Sequence, residues 1–153
     1  MAGRWGAVAL MLVSPACGMA PELEKTDMTE QSGTDAGQAT LKRIGLTLPA
    51  SARIEHAEQI PGQDNAVRVI AVLTEAEWAS VTSHLTGAGG EKPVFSADDN
   101  FHLGPDADSW KPSAAQGLKT AQLPWGKGRE SLNLGIAPAE SGQVRLFVFW
   151  HQL

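Results

Sequence analysis

Cysteine occurs once in 153 residues and tyrosine not at all. A single thiol rules out an internal disulfide and leaves no cysteine-rich metal site. Charge is sparse too: 19% of residues are Asp, Glu, Lys or Arg, and 17 acids against 12 bases give a formal net charge of −5. The basic footprint that nucleic acid requires is missing, and electrostatic adhesion to an anionic bilayer has little to draw on. No apolar run reaches the roughly 20 residues that a membrane-spanning helix needs. No G-x-S-x-G elbow, P-loop or dinucleotide fingerprint occurs. What is present is a hydrophobic fraction of 42%, enough for one packed core in a chain of this length.

The N-terminus carries the most specific pattern. Arg4 supplies a positive start, Ala7 to Val13 a short apolar stretch, and Ser14-Pro15-Ala16-Cys17 a small-residue segment ending in the lone cysteine. These seventeen residues resemble a bacterial lipoprotein signal, cut before a lipidated cysteine. Ala16 and Cys17 match the lipoprotein pattern. Ser14 and Pro15 depart from it, and Ser14 and Ala16 would equally suit ordinary signal peptidase. The resemblance implies removal of residues 1–16, a diacylglyceryl thioether (palmitate-type acylation) on Cys17, and attachment to a membrane through that lipid. Gly18, not Asp, follows the cysteine, so the resemblance implies the outer membrane or cell surface. Loss of residues 1–16 removes Arg4 and no acid, leaving a still more acidic chain.

Residues 17–40 are rich in Gly, Thr, Ser, Asp, Glu and Gln without an apolar period, which predicts a flexible linker. Residues 41–153 form the expected single domain. Leu41 to Leu46 reads as a short helix or turn. Arg53 to Ile60 alternates weakly, Pro61 to Asn65 is dense in turn formers, and Ala66 to Leu73 is almost continuously apolar, predicting a hairpin with a buried second strand. Thr74-Glu75-Ala76-Glu77 is a capping-box sequence, and Trp78, Val81 and Leu85 share one face of the helix it opens. Residues 88–116 read as a long loop. Strands are expected at Leu118–Leu123, Glu130–Ala137 and Gln143–His151. The order ββαβββ predicts an α+β fold: an antiparallel sheet of about five strands with one helix packed on a face.

From Leu46 onward the chain is similar to small uncharacterised domains of bacterial lipoproteins. The residues that carry this are Gly45 to Ala52, Asp64, the Leu73–Trp78 junction, Trp110-Lys111-Pro112 and the C-terminal hairpin. That likeness supplies no activity and no site residues.

Side chains with chemical potential are scattered. His56, His84, His102 and His151 lack metal-ligand spacing. Asp98, Asp99, Asn100, Asp106 and Asp108 offer oxygens for calcium but no D-x-D-x-D-G frame, and Asp and Asn equally make turns. Neither a metal, a cofactor nor a catalytic set is expected. Trp110 and Trp125 sit beside Pro and Gly and are the candidates for holding a partner, an envelope protein or a glycan; the competing expectation makes them lids on the sheet. Lys119, Lys127 and Arg129 are expected to form a basic tip near Trp125. The expected role is non-enzymatic binding or support at the cell envelope. Two alternatives stand beside it. An inhibitor or immunity-type lipoprotein would use residues 88–116 as a protruding loop. A small exported hydrolase would bring His102 beside another histidine and a carboxylate.

Overall fold

A computed structural model describes residues 34–60, 65–97 and 101–153. The signal-like segment, Cys17, the turn residues Pro61 to Asp64 and the acidic residues Asp98 to Asn100 lie outside that description. The most fully buried run among the described residues lies inside a five-stranded sheet. Strand β2, Ala66–Thr74, is buried at every position but the last, because both faces of the sheet are covered. It pairs on one side with β1, Arg53–Ile60, and on the other with β5, Gln143–Gln152. Strand β4, Glu130–Pro138, pairs with β5, and β3, Lys119–Trp125, lies outside it. The order is β1-β2-β5-β4-β3, antiparallel throughout. This is the expected α+β architecture, with the last strand in the chain at the middle of the sheet.

Side-chain alternation divides the core in two. One face carries Val67, Val69, Ala71, Leu73, Leu132, Leu134, Leu146, Val148 and Trp150. It is covered by two helices, α1 (34–43) and α2 (Glu75–His84), with Leu46, Leu48 and Leu85 filling in between them. The other face carries Ile70, Ala137 and Phe147 beneath Leu103 and Trp110. The described residues within 88–116 are largely irregular, as expected, yet Leu103 and Trp110 line a second core while Phe95 packs against the first. Two 3₁₀ turns, Phe101–Leu103 and Pro112–Ala114, shape that cover.

Helix α1 is longer than the short helix or turn expected from Leu41, and covers residues 34–40 that read as linker. Its polar composition hid it: only Leu41 and Ile44 reach the main core from its last turn. The stop is a Schellman motif. Leu46 N donates to Leu41 O and Gly45 N to Lys42 O, with Gly45 at φ 78° where L-residues are strained. Helix α2 begins with the expected capping box. Thr74 Oγ1 accepts from Glu77 N at 3.2 Å, and Glu77 Oε2 accepts from Thr74 N at 2.7 Å. Ser51 adds a hydroxyl donor to the same carboxylate, which lies below its ordinary value; the Ser51 bond is the main cause, followed by the Thr74 N–H and hydroxyl.

The outer edge of β3 is closed. Ser96 and Thr120 exchange backbone hydrogen bonds of 2.9 and 2.8 Å, and Ala88 N donates to Pro124 O at 2.8 Å. Pro124 lacks an N–H and fits this edge strand.

Candidate functional site

Beside the Schellman stop of α1 lies a cleft of about 440 Å³. Its apolar lining is Ile44, Ile60, Ala66 and Trp150. Its polar lining is Arg43 from the last turn of α1, Gln59 from β1, Asn65 before β2, Glu130 at the start of β4 and Gln152 at the end of β5. The β1–β2 pair, α1 and β4 meet here because β5 pairs between β2 and β4.

The polar groups are held by specific partners. Arg43 donates to Gln59 Oε1 at 2.9 Å. Because a guanidinium can only donate, this bond fixes the Gln59 amide with its NH₂ turned elsewhere as a further donor. Trp150 Nε1 donates to Glu130 Oε2 at 2.9 Å, which leaves Oε1 of that carboxylate as an acceptor. Gly126 makes this placement feasible: a Cβ there would overlap the Glu130 carboxyl group. Asn65 Nδ2 donates to Gln152 Oε1 at 3.2 Å. The unspent groups of the cleft are thus donors on Arg43, Gln59 and Gln152 and acceptors on Glu130 and Asn65, with Arg43 and Glu130 its two charges.

The surroundings are basic. Lys42 and Arg43 leave the end of α1, while Lys127 and Arg129 occupy the β3–β4 turn. Trp125 ties the two segments together: its Nε1 donates to Ile44 O at 2.6 Å and its ring lies 3.7 Å from the Cβ position of Gly45. All four cations are exposed, and none pairs with an acid among the described residues. Lys119, expected at this tip, is instead at the far end of β3, opposite Ile136 and lining a smaller pocket with Glu75. A strand of seven residues separates the two ends of β3 by roughly 20 Å.

The two candidate tryptophans are both lids, in different ways. Trp110 is fully buried, its Nε1 donating to Leu103 O at 3.1 Å and its ring edge-on to Phe147. Buried, it offers no ring face to an outside partner. Trp125 is half-buried against the main core, with its N–H already spent on Ile44. Trp110 also covers a buried charge that sequence reasoning missed. Arg68 is 8% exposed, its guanidinium 5.5 Å from the Trp110 ring centroid and 5.6 Å from that of Phe149. It donates to Glu58 at 3.2 Å and to Pro105 O at 3.3 Å. Neighbouring His56 has its Nε2 buried without a hydrogen bond, 3.6 Å from Glu58 Oε1.

The histidines are dispersed: His56 on β1, His84 at the end of α2, His102 in a 3₁₀ turn and His151 on β5 beside Phe149. Among the described residues, no three of His, Cys, Asp or Glu gather in a way that could hold a metal ion. Ser83 Oγ lies 2.9 Å from His84 Nδ1, but both bond Ser80 O and close the helix end. Asp106 accepts from Ser113 N and Oγ and so shapes a turn. Among the described residues no helix is long and apolar enough to cross a membrane. Comparison with protein-family models, with curated proteins and with solved structures returned no match for this chain.

Proposed function

We propose that this chain is an exported bacterial lipoprotein, anchored by lipid on Cys17, whose folded domain binds a ligand at the cell envelope without catalysing a reaction. The anchoring half rests on the sequence: a positive start, an apolar stretch too short to span a bilayer, and Ala16-Cys17. The binding half rests on one observation, the cleft at the end of α1. It is concave, partly apolar and furnished with a few convergent polar groups in fixed orientations, the usual anatomy of a small-molecule site. Within 88–116, Ser96 bridges to β3 and Leu103 and Trp110 pack on the sheet, which favours the cleft over a protruding inhibitory loop.

The test of anchoring is the mass of the mature N-terminus after membrane fractionation, for wild type and Cys17→Ala. Lipid mass on Cys17 with release of the variant into the soluble fraction is the expected result. An unmodified N-terminus in the soluble fraction would overturn the anchoring and leave a secreted or periplasmic protein.

A further inference from the structure

The two charged ends of the cleft specify more than binding in general. We infer that the cleft takes a small zwitterion, a free amino acid or short peptide, with its carboxylate at Arg43 and Gln59 and its ammonium at Glu130. The inference rests on the reading of this cleft as the ligand site.

Two observations support this polarity, and a third favours a ligand with an anionic group. First, the unspent groups at the α1 side are donors. Arg43 uses one N–H on Gln59 Oε1, which leaves the rest of its fork and the Gln59 NH₂. A planar donor fork matches a carboxylate in geometry as well as charge. Second, the unspent charged atom at the β4 side is an acceptor, beside the neutral amide of Gln152. Trp150 holds one oxygen of Glu130, and the other is free to receive an N–H from an ammonium group. Third, the rim is cationic. Lys42, Lys127 and Arg129 stand outside the cleft with no acid paired to them among the described residues, in a chain whose overall charge is −5. Such a rim draws an anionic group toward the cleft; with Lys127 and Arg129 beside Glu130, the orientation of the ligand is set by Arg43 and Glu130 inside it. Ile44, Ile60 and Ala66 provide apolar surface for the ligand's side chain, and the volume of about 440 Å³ lies within the span of small-molecule sites.

The test is a nuclear magnetic resonance titration of the full chain, following the Trp150 indole N–H, whose acceptor is Glu130. The probes are glycyl-leucine, its N-acetyl form and its C-terminal amide, with inorganic phosphate and maltose as other chemical classes. Glycyl-leucine is expected to shift the indole resonance, and capping either terminus to weaken binding at least tenfold. Arg43→Gln is expected to weaken the free dipeptide to the level of the amide while leaving the amide's affinity unchanged. Glu130→Gln does the same for the acetylated form. Arg43 is exposed and bonded only to another side chain, so its replacement leaves the fold intact. Equal affinity of free and capped dipeptides overturns the inference. So does stronger binding of phosphate or maltose in the cleft, which leaves the cleft a binding site of another class. No shift with any probe overturns the inference and the cleft reading together.

Discussion

Arg68 shows what the second face of the sheet is built to hold. A guanidinium on the central strand β2 is costly to remove from water, yet only 8% of this residue is exposed. It is tolerated because the group is flat and weakly hydrated, so aromatic rings can replace much of its solvent. Trp110 and Phe149 supply those rings, while Glu58 and Pro105 O take two of its donors. The residue and its cover are therefore coupled. Trp110→Ala removes a fully buried side chain, its bond to Leu103 O and one ring over the charge. Urea denaturation is expected to show a loss of about 3–5 kcal/mol, the ordinary range for emptying a large core site. A loss under 1 kcal/mol would mean that the 101–118 segment is not part of the core. Trp110 and Trp125 match the lid reading that the sequence offered beside partner binding: a Pro or Gly neighbour does not itself say whether the ring lies on a sheet.

Among the elements, α2 was the easiest to read and α1 the hardest. Thr74 and Glu77 are spaced for a reciprocal cap, and the cap forms as those residue types dictate. Likewise the apolar run of β2 and the alternation of β4 gave strands at the expected positions, although β4 is buried on both faces, with Ser131 and Asn133 bonded to each other on the second. The first part of α1 carries no such period, and its packing is decided by tertiary contact from Leu41 and Ile44. The cleft was not legible at all. Arg43, Gln59, Glu130 and Trp150 belong to separate elements, and no local spacing relates them. The cap also carries a testable pH signature. Hydrogen bonds from Ser51 and Thr74 favour the ionised form of Glu77 and lower its value in the folded state below the ordinary 4.5. The stability this adds is fully present above the ordinary glutamate value and is lost as pH falls through the lower folded-state value. Glu77→Gln keeps an oxygen acceptor for the cap but cannot titrate. Thermal denaturation across that acidic window is expected to fall less steeply with pH for the variant. Parallel profiles would show that the cap does not depend on the charge of Glu77.

For the whole molecule, the two cores share one sheet but differ in depth of cover. Strands β2 and β5 are flanked on both sides by other strands, and they carry most of the fully buried side chains with β4. Helix α2 has no fully buried residue and rests on the sheet through the half-buried Trp78 and Val81. Opening should therefore be graded. Native-state hydrogen exchange is expected to be slowest in β2 and β5, and faster in α2. Equal protection across both would show that the domain opens only as one unit.

The place of β5 in the sheet has a consequence for the life of the chain before it folds. β2 cannot acquire its inner neighbour until residues 143–152 exist, because Thr74 pairs with Gln143 and Ala66 with His151. Closing so long a loop is slow and cannot begin on a partly synthesised chain. Until then the most apolar strand has only the β1 hairpin to pair with, and a two-stranded hairpin is marginal in water. On the export route proposed above, a chain whose sheet waits for β5 is one that a narrow membrane channel can still thread.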